Sequence, residues 1–321
     1  MNVKRAILSQ NNIFNMLKKA NNNHRLSHAY LFYGEKGTGK KELAYALATI
    51  LYCPNGGCLE CNTCKNILNN NHMNIDYIGI DSNKTMISKE QIMALQDEFS
   101  KTSLVDGTRV YIVDGIDTAS SAAQNSLLKF IEDPENQTPT IGIFLATDLS
   151  NVVSTIISRC ELVHFDSIPI SLRANILNEE GIDLLDALLA SILTNNVEDA
   201  GLMIQDTNYF KRKELFLNFI SIDKAQDAVL FFANNVGFYS DSNELKILLS
   251  WLIQFLEDSN LVEKSNENLI LNPLYDKIKM YSKKNKDCLN NKLEFVLSLF
   301  DKLKYNVSAK NIFHELIVNF I

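Results

Sequence analysis

Two groups of residues in the N-terminal half have types and spacing suited to chemistry. Between the apolar run HAYLF and the periodic segment KKELAYALATILY lies Gly34-Glu35-Lys36-Gly37-Thr38-Gly39-Lys40-Lys41. Glycines let the backbone turn its amides toward an anion, and the start of a following helix adds partial positive charge. Gly34, Gly37, Gly39 and Lys40 therefore read as a phosphate loop, with Lys40 able to reach terminal phosphates. The next position of such a loop carries a serine or threonine whose hydroxyl ligates magnesium, but here it is Lys41. An ammonium cannot coordinate a cation. Asp114, at the end of RVYIVD, reads either as the acidic partner of a magnesium ion or as a strand-end carboxylate capping a turn.

The second group is Cys53-x4-Cys58-x2-Cys61-x2-Cys64. Cysteines two residues apart around tight turns aim their sulfurs at one point, and four thiolates complete a closed tetrahedral zinc shell. A closed shell has no vacancy for substrate, so the expected role is structural. His72 lies nearby but four sulfurs leave it no place; it reads as a turn or surface histidine. Free thiols or disulfides are the alternative, disfavoured by the dense spacing and by a reducing compartment. Cys160 and Cys288 stand alone and read as buried thiols.

These residues need a scaffold, and the pattern around them supplies one. HAYLFYG, IDYIGI, RVYIVD and IGIFLAT alternate with KKELAYALATILY, SKEQIMALQDEFS and SSAAQNSLLKFIED up to about Phe165, which predicts a parallel α/β sheet with helices on both faces. Ser88 with Gln91 forms a capping box at the start of the SKEQIM helix. Ala123, Leu127, Leu128 and Ile131 point to the core, and Asp133-Pro134 with the polar ENQTPT ends that helix. After Pro169 strand signals nearly vanish. ELKILLSWLIQFLED places Leu245, Leu248, Leu249, Leu252 and Phe255 on one helical face, and KLEFVLSLFDKL places Leu293, Val296, Leu297 and Phe300 likewise. Trp251 reads as core or interface. A polar break near Asp206 to Asn208 divides this half into a small bundle and a larger one, and the asparagine runs at 21 and 69 read as solvated loops.

With 321 residues, 46% hydrophobic and 21% charged, the chain has material for more than one core. No stretch approaches the roughly 20 apolar residues that span a bilayer, and the N-terminus lacks a signal-peptide core. A cytoplasmic protein is expected, with no membrane partner. The net charge of −7, from 31 Lys plus Arg against 38 Asp plus Glu, provides no global field for gripping a phosphate backbone.

HAYLFYGEKGTGKKELA, the four-cysteine module, VYIVDGIDTASSAAQNSLLKFIEDP, FLAT and TIISRC occur in the order found in bacterial clamp-loader subunits of the DNA polymerase III holoenzyme. The resemblance is strong over roughly residues 5 to 165 and rests beyond that on length and pattern. It implies an AAA+ fold: a nucleotide-binding domain over 1–166 with the zinc module at 53–64, a helical lid over 167–206 and a helical collar over 207–321 that holds subunits in a ring. ATPase members, gamma or tau, keep the hydroxyl after the lysine and a glutamate after the strand-end aspartate, which polarises the attacking water. Lys41 and Gly115 stand at those positions here, and resemble the delta-prime branch, regarded as unable to hydrolyse ATP.

The resemblance also implies that Arg159, in Ser158-Arg159-Cys160, reaches across a subunit boundary to a neighbour's γ-phosphate as an arginine finger. Thr147, after FLA, occupies the sensor-1 position. Matching NNVEDAG to the lid segment puts Glu198 where the sensor-2 arginine stands, and an acid there repels triphosphate. The implied partners are gamma or tau and delta in a hetero-oligomeric ring, with the sliding clamp and primer-template DNA met through the complex. The implied cofactor is a structural zinc, with ATP or ADP binding weak or absent. The alternative is an active gamma- or tau-type ATPase or another AAA+ ATPase.

Overall fold

The computed structural model describes residues 2–81, 84–100, 107–128, 131, 139–262, 269–305 and 307–320. They divide into two compact units, Met1–Ile168 and Pro169–Ile321.

The first unit is built on a five-stranded sheet. Its strands are β1 (Ala29–Tyr33), β2 (Ile75–Ile78), β3 (Arg109–Asp114), β4 (Thr140–Ala146) and β5 (Glu161–His164), in the order β2-β3-β4-β1-β5. Every pairing is parallel. Alternate residues of the central strands enter two separate cores. Tyr30, Phe32, Val110, Ile112, Ile143 and Leu145 face one, while Ala29, Leu31, Tyr111, Val113, Phe144 and Ala146 face the other. Burial on both faces is why these strands read as continuous apolar runs. Helices α1 (Val3–Ser9), α2 (Asn11–Asn22), α3 (Lys40–Tyr52) and α4 (Asn62–Leu68) contribute to the first core. Helices α5 (Lys89–Ser100), α6 (Ser121–Ser126) and α7 (Ser154–Ile157) contribute to the second.

The capping box is formed: the Gln91 amide donates to Ser88 Oγ at 3.3 Å and the Ser88 amide to Gln91 Oε1 at 2.9 Å. Ala123, Leu127 and Ile131 are buried and Leu128 is half-buried; Asp133, Pro134 and residues 135–138 lie outside the described residues. The sequence pattern had no element over residues 3–22, where two helices stand, and none at β5. Asn21 and Asn22 close α2 rather than a loop.

The second unit is helical, and strands are absent from its described residues. A single apolar cluster runs from Ala174 to Phe320. The polar break is where it was expected, between helices Val197–Ile204 and Tyr209–Phe219. The residues on both sides of it nevertheless share that one core. Trp251 is a core residue: it is buried, its indole donates to Leu189 O at 2.7 Å, and its ring meets Phe216 edge-on. Leu245, Leu248, Leu249, Leu252 and Phe255 line the buried face of helix Ser242–Leu261. On helix Leu289–Lys302 the buried face is Leu289, Val296 and Leu299. Leu297 is exposed, because one residue past Val296 is a turn of about 100° off that face.

Candidate functional site

β1 ends between β4 and β5, so the chain leaves it at the point where the strand order reverses, the crevice in which open α/β sheets place ligands. The phosphate loop follows directly. Gly34, Gly37 and Gly39 have φ of +146°, +87° and +87°, and Gly39 caps α3 in the left-handed conformation. A β-carbon on Gly34 would lie 2.2 Å from Phe165 O. The loop is held from within: buried Thr38 donates to Glu35 O at 2.9 Å, and Gln10 donates to Thr38 O at 3.1 Å. Lys40 is folded back on the loop, its ammonium donating to Gly34 O at 2.7 Å and Glu35 O at 2.6 Å. Burial lowers its pKa, against the pull of Asp114 and Asp117.

Lys41 has a definite partner. Its ammonium donates to the Tyr77 hydroxyl at 2.7 Å, lies 3.9 Å from Asp114 Oδ2 and sits 4.0 Å from the Tyr77 ring centroid. The Tyr77 hydroxyl in turn donates to Asp114 Oδ2 at 2.8 Å. Burial, and then the Asp114 charge, push the Tyr77 pKa up, so the phenol stays protonated and remains a donor. Of the two readings of Asp114, this geometry favours the structural one. Its carboxylate is engaged by an ammonium and a phenol on the side of the loop where a metal-binding hydroxyl would stand.

Gly115 has φ of +97° and caps the turn Ile116–Thr118. Asp117, which sequence reasoning passed over, fastens this turn to the end of β4: its Oδ2 accepts the Thr147 amide at 2.9 Å and the Asp148 amide at 3.0 Å. Thr147 is thus placed through its backbone. The available signal was a carboxylate three residues after Asp114, within a turn.

Arg159 lies just beyond α7, where its guanidinium donates to Thr155 O at 3.0 Å and Ser158 Oγ at 3.4 Å. It precedes β5, whereas the phosphate loop follows β1. The two strands are parallel, with Tyr30 opposite Glu161 and Tyr33 opposite His164. Arg159 and the loop therefore belong to opposite ends of the sheet, at least about 10 Å apart along strands that rise about 3.3 Å per residue. Cys160 is half-buried, and burial pushes its thiol up to about 12. Glu198 lies in the first turn of helix Val197–Ile204, a favourable place for an acid.

The four cysteines converge. Their sulfurs all lie within 4.8 Å of one another, with Cys53–Cys58 at 3.5 Å, Cys53–Cys61 at 3.8 Å and Cys58–Cys64 at 4.0 Å. Tetrahedral zinc with bonds of about 2.3 Å requires sulfurs about 3.8 Å apart. The amides of Cys58, Cys61 and Cys64 point at Cys53, Cys58 and Cys61 Sγ, at 3.5, 3.4 and 3.5 Å. Hydrogen bonding of this kind, first from the Cys58 amide, pulls the Cys53 thiol down to about 6. Burial raises Cys64. Left-handed residues Gly56, Gly57 and Leu59 make the turns. Because Cys53 ends α3 and Cys61 caps α4, the cluster ties those helices together. His72 is outside the set, with its ring 4.3 Å from that of Tyr52 and its Nδ1 accepting the Asn74 amide. Cys288 is half-buried and donates to Asn285 O at 3.3 Å.

A family model described as "DNA polymerase III, delta subunit" matches residues 9–169, half of the chain. The chain is 29% identical over 314 residues to DNA polymerase III subunit delta' of Bacillus subtilis, covering 95% of this chain and 93% of that protein. DNA polymerase III subunit tau of the same bacterium is 32% identical over 166 residues, 50% of this chain and 29% of the relative. A solved DNA polymerase III gamma subunit-related protein from Thermotoga maritima aligns with a TM-score of 0.44 and 16% identity, over 95% of this chain and 97% of that one.

Proposed function

The chain belongs to the DNA polymerase III delta-subunit family, and from that membership we propose that it works as the delta-prime-type subunit of a clamp loader, helping to load the sliding clamp onto DNA during replication. Similarity to a delta-prime subunit over nearly the whole length supports this. In this reading it does not hydrolyse ATP. The observation that carries that point is the Lys41–Tyr77–Asp114 group: a fixed ammonium 3.9 Å from the carboxylate that would otherwise bind magnesium. With Lys40 turned onto its own loop carbonyls, nucleotide binding is weak or absent.

Function passes instead to Arg159, which is placed at the end of the sheet away from its own phosphate loop and serves the ATP of a neighbouring gamma or tau subunit. A guanidinium there stabilises charge developing on the transferred phosphoryl group. The helical unit, as lid (167–206) and collar (207–321), holds the hetero-oligomeric ring that includes delta. Cys53, Cys58, Cys61 and Cys64 hold one structural zinc; their sulfur spacing and amide contacts suit it. The proposed setting is the cytoplasm, and no described helix is long and apolar enough to cross a membrane.

Reconstituting the complex with Arg159→Ala should sharply reduce its DNA-stimulated ATPase and clamp loading; unchanged rates would reject the finger. Similarity of the first half to tau, with Lys40 retained, supports the alternative of an active gamma- or tau-type ATPase. Turnover by the purified chain that Lys40→Ala abolishes would establish that alternative.

A further inference from the structure

The chain is acidic overall, yet one stretch of the second unit runs the other way. Residues 275–292 contain Lys277, Lys279, Lys283, Lys284, Lys286 and Lys292 against only Asp276 and Asp287. On helix Tyr275–Asn285 the buried residues are Ile278 and Ser282. Lys277, Lys279, Lys283 and Lys284 are exposed, fanned over the rest of the helix surface. Charge this local matters, because at physiological salt fields are screened beyond about 8 Å and the acidic remainder of the chain does not cancel it.

Lys286 and Lys284 have partners, and the other exposed lysines of the helix carry the charge that no ion pair among the described residues neutralises. Lys284 pairs with Asp223 at 2.5 Å, and Lys277 donates to the neutral Ser221 hydroxyl at 2.9 Å. Lys279 faces the Tyr275 ring; neither it nor Lys283 forms an ion pair there.

Behind the helix lies a pocket of about 100 Å³, whose lining includes two lysines, Lys284 and Lys292, and one acid, Asp223, which is already paired with Lys284. That is room for several waters or one small anion. The Lys292 ammonium contacts only neutral groups there: the Tyr281 hydroxyl at 3.3 Å, Asn285 Oδ1 at 3.0 Å, and the faces of the Tyr281 and Phe320 rings. A partly buried cation with no counter-ion among the described residues is costly, and an anion entering the pocket on the Lys292 side would relieve that cost.

We propose that helix Tyr275–Asn285 and the pocket behind it form a sequence-independent binding surface for the phosphate backbone of nucleic acid. Lysines are compact point charges without the planar fork that reads bases, so they suit phosphates rather than sequence. The only large apolar side chain exposed on the helix is Met280. An acidic protein partner would need a buried aromatic or aliphatic anchor, and one methionine among lysines does not provide it. The surface goes beyond the nucleotide-site reading and uses neither Arg159 nor the phosphate loop, so the two stand or fall separately.

The test is fluorescence anisotropy of a labelled random-sequence duplex with the full chain across a salt series. About four phosphate contacts give a slope near −3.6 for log K against log salt. Lys279→Glu with Lys283→Glu should roughly halve that slope and weaken binding at least about tenfold. Both positions are exposed, so an unchanged thermal melt is expected and is checked. Lys19→Glu with Lys89→Glu, which alters net charge equally elsewhere, should leave most of the affinity. Absence of wild-type binding at about 50 mM salt, equal loss in the control pair, or no loss in the first pair would overturn the proposal. Polyglutamate bound more tightly than the duplex would also overturn it, assigning the surface to an acidic protein.

Discussion

Replacing Lys41 by threonine tests the nucleotide site most directly. Lys41→Thr removes the ammonium from Asp114 and returns a hydroxyl to the position after Lys40. In the present structure the Lys41–Asp114 pair is separated by 3.9 Å with both side chains more than a third exposed, so solvent screening limits its value to about 1 kcal/mol or less. The hydrogen bond from Lys41 to the Tyr77 hydroxyl contributes about 1 kcal/mol net. An incoming magnesium–nucleotide complex must displace these contacts, worth about 1–2 kcal/mol together, and 1.4 kcal/mol is tenfold in affinity. The variant should therefore bind magnesium–ADP about five- to thirtyfold more tightly than the wild type. The gain should vanish in EDTA, and Lys41→Met, which loses the same contacts without supplying the hydroxyl, should show this contact-derived gain and no more, any excess in Lys41→Thr being the hydroxyl's own. Titration of a fluorescent ADP analogue with magnesium or EDTA reads all of this. A wild type that already binds magnesium–ADP as tightly as the variant, or a gain independent of magnesium, would refute the view that Lys41 stands in for the cation.

Chelator-free protein should contain one zinc per chain by metal analysis, and stripping it should lower the melting temperature; metal-free protein with native stability would make the four cysteines dispensable. Arg212 bridges Asp206 at 2.5 Å and Glu244 at 2.6 Å, with Arg212 and Glu244 side chains only 14% and 11% exposed. Arg212→Met should cost about 3 kcal/mol in urea unfolding by leaving the Glu244 carboxylate without its partner. The Asn208 amide, then Arg212, hold Asp206 below the usual carboxylate range. A lowered carboxyl pKa stabilises the fold above that range and ceases to as pH falls through the lowered value, so the wild type's advantage should shrink in acid. An advantage constant with pH would remove the ion pairs from the account. A β-carbon on Gly142 would lie 2.3 Å from the buried Tyr111 ring, so Gly142→Ala should destabilise by about 1–3 kcal/mol. In a double-mutant cycle, Tyr111→Ala should absorb part of that cost; strict additivity would show that the two do not meet.

How much of the scaffold could be read in advance depended on burial. β1, β3 and β4 are covered on both faces, so apolar runs announce them. β5 was missed because it is a short edge strand in which only Val163 is buried. The helices over residues 3–22 were hidden for a related reason: α2 carries a clear stripe, but only Phe14 and Leu17 are buried on it, and asparagines and lysines make up most of the rest. On helix Leu289–Lys302 the correct face is defined by Leu299 rather than Leu297, a distinction that depends on which side the neighbouring helices cover.

The site divides the same way, between what spacing encodes and what distant residues decide. Glycine turns, the lysine after them and four clustered thiols are local patterns, and the structure brings each set together. What Lys41 does is not local, since its acceptor Tyr77 comes from β2 and its counter-charge Asp114 from β3. Gly115 extends the point. The position lacks the glutamate of an ATPase, but it also adopts φ of +97°, where a residue with a β-carbon is strained by about 1–2 kcal/mol. Thr118 Oγ1 donates to Gly115 O at 2.7 Å and accepts the Ile87 amide at 3.3 Å, while Asp117 fastens the same turn to β4. A glutamate placed there would have to reshape a turn held at several points. In the proposed reading, supplying a hydroxyl at Lys41 is therefore a local repair of binding, whereas restoring hydrolysis would require rebuilding the link between β3 and β4. That asymmetry fits the proposed reading, in which the phosphate loop persists as architecture and Arg159 is proposed to act on another subunit's nucleotide.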